Sequence, residues 1–299
     1  MGGHVCILGS ANLDLAIPVP HFPGAGETVL AGAPVRHAGG KGLNQAVAAA
    51  RLGAHVRFAG AVGDDDAGAA LRAALAADGV DVSSLAVHAD TATGQAVIAV
   101  SPTGENSIIV MPGANRLIAA EAAAKAAAGT WDIFLAQLEV PLEAVHAFFA
   151  AARGGRILLN AAPALPAARP LLPLCDIVIV NRGELAQMAG APPPDDLRDM
   201  AAMAGMLGLA PHQTVVVTLG RDGALALTGG EMVEVPGVAA EAADTTGAGD
   251  CFCGALSVAL AEGGTMAEAL AFANRAAALS VSRAGASSAM PRRREMPDA

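Results

Sequence analysis

Apolar and polar positions follow two rhythms along the chain. Short, nearly continuous apolar runs at His4–Gly9, Val56–Ala61, Ile133–Ala136, Ile157–Asn160, Ile177–Val180 and Thr214–Leu219 read as strands. Alanine-rich stretches with helical spacing fall between them, at Leu43–Leu52, Ala67–Ala77, Leu142–Ala152 and Leu197–Leu207. Strands without a polar face are buried on both sides, and strands that alternate with helices pair in parallel. The pattern predicts an α/β fold: a Rossmann-like three-layer sandwich with a mainly parallel central sheet. From about Gly249 to Arg283 two more helices are expected, joined at Gly263-Gly264. The alanine tract Ala119–Ala128 reads as a surface helix, and Met200, Met203 and Met206 recur at a helical spacing that suits the core.

Two stretches break the rhythm. Residues 13–38 carry Pro18, Pro20 and Pro23 and then alternate toward His37. Residues 93–111 read as two short strands, Gln95–Val100 and Ser107–Met111, joined by the polar turn SPTGEN. Hairpin-like insertions in an α/β chain tend to lie over the ligand crevice at the strand C-termini. The expectation is one domain over residues 1–299, with a small β lid built from the two segments.

Composition narrows the function. Eighteen basic against 28 acidic residues give a net charge of −10, which disfavours a nucleic-acid partner gripped through its phosphates. The chain is 54% hydrophobic and 15% charged, too apolar for disorder. Aromatics are 3%, with one Trp and no Tyr, so a site here cannot rely on tyrosine stacking. The longest uncharged stretch, Met200 to Gly220, is broken by Gly205, Gly208 and Pro211-His212-Gln213, so no membrane span is expected. The N-terminus lacks a basic region ahead of its apolar run, and Cys6, Cys175, Cys251 and Cys253 are too scattered for a disulfide framework or a zinc site. These features suggest a cytoplasmic protein with buried free thiols.

The strongest chemical signal is DTTGAGD, Asp244 to Asp250, followed at once by an apolar helical run. Gly247 and Gly249 let the backbone turn tightly, so that N–H groups converge at the positive end of a helix. A phosphoryl group in transfer suits such a hole, and Asp250 beside it could act as a general base toward an attacking hydroxyl or simply cap the helix. AGGKGLNQA, Ala38 to Ala46, places Lys41 and Asn44 at a glycine-rich helix entrance. It is not a Walker A loop, because Gly42 follows Lys41, and no G-x-G-x-x-G occurs. Asn12 and Asp14, in GSANLD, offer the groups that bind vicinal sugar hydroxyls, or cap a turn. Glu139, Asn181 and Glu184 follow apolar strands, where open α/β sheets bind ligands. Asn181 and Glu184 suit the water shell of a magnesium–phosphate complex, with helix capping as the other reading for Asn181. No histidine pair, HExxH or G-x-S-x-G elbow is present.

Taken together and in this order, the segments resemble the ribokinase family of carbohydrate kinases, also called PfkB, from GSANLD to RAGASSAMP. GGKGLNQA paired with DTTGAGD is the specific part. GETV at Gly26–Val29, GEN at Gly104–Asn106, GAN at Gly113–Asn115, QLE at Gln137–Glu139 and LNAAPA at Leu159–Ala164 look like its ribokinase branch. The resemblance implies the ribokinase-like fold and transfer of the ATP γ-phosphoryl group to a primary hydroxyl of a pentose, D-ribose giving ribose 5-phosphate. A nucleoside, deoxyribose or hexose kinase is the alternative, and a non-catalytic sugar or nucleotide sensor a further one. It implies Asp250 as base, with Gly247, Ala248 and Gly249 as anion hole. Asn12, Asp14, Gly40, Lys41, Asn44 and Glu139 would bind the sugar. Asn181, Glu184, Thr218, Gly220, Gly223 and Asn274 would line the ATP side, with Mg²⁺. A potassium-type cation would sit near Asp244, Thr246, Ser280, Arg283 and Gly285, where Ala289 stands in place of the pattern's last serine. A homodimer pairing through the lid is also implied.

Overall fold

The computed structural model describes residues 2–103 and 105–296, so Gly104 of the GEN turn lies outside the described residues. In chain order the strands are β1 (His4–Leu8), β2 (Asn12–Pro18), β3 (Val35–Gly39), β4 (His55–Gly63), β5 (Asp81–His88), β6 (Gly94–Val100), β7 (Asn106–Met111), β8 (Ile133–Ala136), β9 (Arg156–Asn160), β10 (Ile177–Asn181), β11 (Thr214–Thr218), β12 (Gly223–Thr228) and β13 (Glu231–Pro236). The helices are α1 (Lys41–Arg51), α2 (Asp66–Ala77), α3 (Ala120–Ala126), α4 (Leu142–Ala151), α5 (Arg182–Ala189), α6 (Leu197–Met206), α7 (Ala248–Ala261) and α8 (Met266–Val281).

A nine-stranded sheet runs in the order β13-β12-β11-β10-β9-β8-β1-β4-β5. Its strands pair in parallel from β5 to β11, and the β12–β13 hairpin extends it antiparallel. The apolar runs explain this placement. β1, β8 and β10 have almost no exposed residue because both of their faces are covered. Along β1, Val5 and Ile7 pack with α1, α2, α7 and α8, whereas Cys6 and Leu8 pack with α3 to α6 on the other face. The product is a helix–sheet–helix sandwich, as the hydrophobic rhythm predicts.

A second, four-stranded sheet has the order β3-β2-β6-β7, with β2 and β6 parallel and the outer strands antiparallel. Its strands fall within one residue of segments 13–38 and 93–111. Every residue of β7 is exposed. All four cysteines are free and buried, and among the described residues no helix is long and apolar enough to cross a membrane.

Three expectations need correction. The alanine tract is not merely a surface helix: α3 is short, and Ala123, Ala126 and Ala127 are buried in the core that it shares with α4. Met200 and Met203 are core residues, but Met206 is 51% exposed. The helix after GGK begins at Lys41 rather than Leu43, so that lysine sits on the first turn.

Candidate active site

The parallel strands end at one edge of the sheet, and their polar C-terminal extensions meet there. Ser10 and Asn12 follow β1, Gln137 and Glu139 follow β8, Asn160 ends β9, Asn181 ends β10 and Thr218 ends β11. α1 enters the same edge. Its approach to β1 is possible because two glycines face each other: a Cβ on Gly42 would stand 2.6 Å from Gly9 Cα. The contact lets Ser10 Oγ donate to Glu139 Oε2 at 2.5 Å while Lys41 N donates to the same oxygen at 3.3 Å.

Asp250 lies on the first turn of α7 and is 7% exposed. Its Oδ2 accepts from Asn44 Nδ2 at 2.9 Å and its Oδ1 from Gln45 Nε2 at 3.0 Å. GGKGLNQA and DTTGAGD, about two hundred residues apart, are thus joined through side chains of α1 and α7. Gln45 is itself held: Gln137 Nε2 donates to its Oε1 at 2.5 Å, and its Nε2 also reaches Asn160 Oδ1 at 3.1 Å.

Three carboxyl groups, Glu139, Glu184 and Asp250, share the field of one ammonium, Lys41. Burial pushes the Asp250 carboxyl up, against the Lys41 charge and the two amide donors, which favour its ionised form. Lys41 is raised in turn, chiefly by Asp250. Asp14 is pushed up to about 7 by burial, with Glu139 and Asp250 adding to it. It lies on β2 directly opposite His37 of β3, and its buried Oδ1 has no hydrogen-bond partner. Asn12 Oδ1 accepts from Asn115 Nδ2 at 2.8 Å, which fixes which way its amide points. Gly40 caps α1 at φ 90°, with its backbone against Asn12 N.

Gly247 caps α7 at φ 76° in the left-handed region. Ala248 N donates to Thr245 O at 3.2 Å, and Cys251 N closes the first helical bond to Gly247 O at 2.8 Å. Among the described residues, the N–H groups of Gly247, Gly249 and Asp250 have no intramolecular acceptor, as expected at a helix start. The free donors are therefore those of 247, 249 and 250, and Ala248 of the expected trio is turned back into the turn.

From this point a cavity of ≈ 220 Å³, bounded by Lys41, Asn181, Glu184, Thr218 and Asp250, leads past Gly249 into a larger groove. Thr218, Gly220, Gly223 and Asn274 line that groove of ≈ 700 Å³, in which Phe252 is the aromatic wall. Asn181 caps α5, as the alternative reading had it, and Glu184 returns the bond to Asn181 N, each 2.8 Å, although both residues face the cavity. Burial raises Glu184. Asn274 Nδ2 is committed to Val235 O and Pro236 O, which ties α8 to β13. On the other side, a cavity of ≈ 500 Å³ is bounded by Ser10, Asn12 and Glu139 and walled by aliphatic and proline side chains together with Asn115 and Arg116.

The residues matched to a cation site are gathered only in part. Asp244 accepts from Thr246 N and Gly285 N, each at 2.9 Å, which joins those three. Ser280 Oγ donates to Ala277 O, Ser280 O accepts from Arg283 N, and the Arg283 guanidinium turns away to Glu295. Ser287 and Ser288, near Ala289, donate to Ala38 O and Ala284 O instead. Most of these bonds engage side chains, whereas the resemblance assigns several of the cation contacts to backbone carbonyls. Among the described residues, no group of three or more His, Cys, Asp or Glu could hold a metal ion.

Ser10, Gln45, Asn115, Gln137 and Asn160 belong to the arrangement although sequence reasoning gave them no role. Ser10, Gln137 and Asn160 share a readable signal, a polar residue at the C-terminal end of an apolar strand.

A family model described as pfkB family carbohydrate kinase matches residues 3–293. The ribokinase of Haemophilus influenzae is 38% identical over 296 residues, covering 97% of this chain and 95% of its own. The deoxyribokinase of Salmonella typhi is 35% identical over 292 residues, 96% of this chain and 95% of its own. Among solved structures, the Arabidopsis thaliana ribokinase complexed with ribose and ATP superposes with a TM-score of 0.87 at 31% identity, covering 99% of this chain and 98% of that one. With its sheet order, its paired glycine-rich turns and these likenesses, the chain belongs to the pfkB family of carbohydrate kinases.

Proposed function

We propose that the enzyme transfers the γ-phosphoryl group of ATP to the primary hydroxyl of a pentose, converting D-ribose to ribose 5-phosphate. The observation that carries this reading is the position of Asp250, between a pocket of hydroxyl-binding side chains and a helix start with free N–H groups. Asp250 takes the proton of the attacking hydroxyl, the sugar oxygen bonds to the γ-phosphorus, and the bond to the β-phosphate oxygen breaks. Because the transition state is loose, placement and charge stabilisation contribute most. The N–H groups of Gly247, Gly249 and Asp250 stabilise the charge on the transferring group, and Lys41 adds a positive charge beside it. Asn12, Asp14, Lys41, Asn44, Glu139 and the Gly40 backbone hold the sugar. Thr218, Gly220, Gly223 and Asn274 form the nucleotide groove. Magnesium on the nucleotide phosphates would supply charge neutralisation, with Asn181 and Glu184 facing its water shell.

The small sheet is read as a lid that closes on the sugar and excludes water, within one domain spanning residues 1–299. The apolar row Ile108, Ile109, Val110 and Met111, 44–65% exposed, supports pairing of two copies through it.

The pentose is favoured over a nucleoside because no aromatic side chain lines the cavity beside Asn12 and Glu139. The likeness to a deoxyribokinase supports 2-deoxyribose as the second candidate. ADP release measured with ribose, 2-deoxyribose, hexoses and nucleosides tests the reading. The expected result is the highest kcat/KM with ribose, and a higher value with any other acceptor reassigns the substrate.

Asp14 gives this site a pH dependence. Its carboxylate accepts sugar hydroxyls when ionised, so KM for the sugar is expected to fall about tenfold between roughly pH 6 and pH 8. Glu139 and Asp250 act on the same carboxyl and His37 lies opposite it across the strand pair, so initial rates of Asp14→Asn are the control, and that variant should lose most of the dependence. The sign for stability is opposite. A carboxyl raised on folding holds its proton more tightly in the folded state, so the unliganded fold loses stability as pH rises from about 4 to about 7.

A further inference from the structure

Arg51 is the last residue of α1, some 15 Å along the helix from Lys41. Its guanidinium makes a two-pronged contact with Asp78, Nε to Oδ1 and Nη2 to Oδ2, both 2.8 Å. The remaining nitrogen, Nη1, faces three carbonyls of the C-terminal turn: Ser287 O at 2.9 Å, Ser288 O at 3.2 Å and Met290 O at 3.0 Å. Both side chains are largely buried, at 16% and 9% exposure. A lysine has no planar fork to serve a carboxylate and three carbonyls together.

That turn lies under the phosphoryl site. Ala286 and Met290 are buried, and a Cβ on Gly247 would meet Met290 Cε at 3.3 Å and Ala286 Cα at 3.4 Å. One residue earlier, Gly285 N binds the Asp244 carboxylate at the other end of the DTTGAGD turn. Ser287 Oγ binds Ala38 O, just before the GGK glycines. The turn therefore supports both flanks of the Gly247 backbone, and Arg51 with Asp78 fixes the turn.

We propose that Arg51, oriented by Asp78, is a positioning residue for phosphoryl transfer: through the turn at 285–290 it sets where the Gly247 backbone stands. The inference rests on the phosphoryl site proposed above.

The test uses the full chain as Arg51→Met, Arg51→Lys and Asp78→Asn. Phe148→Leu, in the core on the other face of the sheet, serves as a variant destabilised elsewhere. Arg51→Met is expected to lower kcat by about 10- to 100-fold, the scale of a roughly 1 Å misplacement, with the sugar KM within about twofold. Arg51→Lys should recover part of it, and Phe148→Leu should keep kcat despite its lower Tm. Hydrogen exchange at the Cys251 amide, which donates to Gly247 O, should quicken in Arg51→Met and not in Phe148→Leu. Unchanged kcat in Arg51→Met, or a loosened 285–290 turn with unchanged exchange at Cys251, overturns the proposal. Should Arg51→Met fail to fold, Arg51→Lys and Asp78→Asn decide by the same two readouts. If the unaltered enzyme phosphorylates no sugar, the proposed function fails, while the exchange measurement still judges the coupling.

Discussion

Asp250→Asn is expected to leave sugar and nucleotide binding within about threefold while lowering turnover by roughly 10²–10⁴. A carboxamide cannot take the hydroxyl proton, so the loss falls on the chemical step. The variant should fold, because its surroundings can accept it. Asn44 Oδ1 is buried without a partner, so a turn of the Asn44 amide presents an acceptor where a donor now points. Removing a buried carboxyl that burial has pushed up relieves a desolvation cost, which offsets the loss of Lys41's main opposing charge while Glu139 and Glu184 still face it, so Tm should change little. Calorimetric binding of the sugar and of ADP, set beside ADP release, reads the two effects apart. Near-full turnover would remove Asp250 from the reaction.

A second large effect is expected one helical turn further along α7. Gly254 is where α1 and α7 cross: an added Cβ would meet Ala48 Cβ at 2.7 Å and Gln45 O at 2.8 Å. The second contact is with backbone, so the helices must separate. In an unobstructed helix, glycine to alanine gains about 1 kcal/mol from backbone entropy. At Gly205 of α6, where nothing stands within 4 Å, that gain should appear. At Gly254 overpacking of about 1–3 kcal/mol should reverse it. Separation also moves Asn44 and Gln45 away from Asp250, and a displacement near 1 Å costs about 10² in rate. Denaturant midpoints and kcat for Gly205→Ala and Gly254→Ala give the two signs. A Gly254→Ala enzyme as stable and as fast as the parent would show that the helices are not held at contact distance.

The fold was legible wherever apolar runs were long and lacked a polar face, as for β1, β8, β10 and β11. β5 and the β12–β13 hairpin were less so. β5 and β13 alternate in burial at the margins of the sheet, and the Gly229-Gly230 turn, a hairpin signal, sits inside a chain otherwise set to a strand–helix rhythm. Within the candidate site, residues beside glycine-rich turns were readable because backbone chemistry needs glycine at those positions. Gln45 and Gln137 were not, because a glutamine inside a helix or after a strand looks like any other polar residue until its partner is known.

Trp131, the single indole of a chain without tyrosine, lies just ahead of β8, at the end of the sheet remote from Asp250. It stacks under the Arg57 guanidinium at 4.8 Å, and its Nε1 donates to Ala128 O. Intrinsic emission is therefore a reporter of the floor of this molecule. It will follow unfolding through the loss of that cation stack, and it will stay dark to events at the ligand edge. Optical titration of nucleotide or sugar consequently calls for a fluorophore introduced on the far rim.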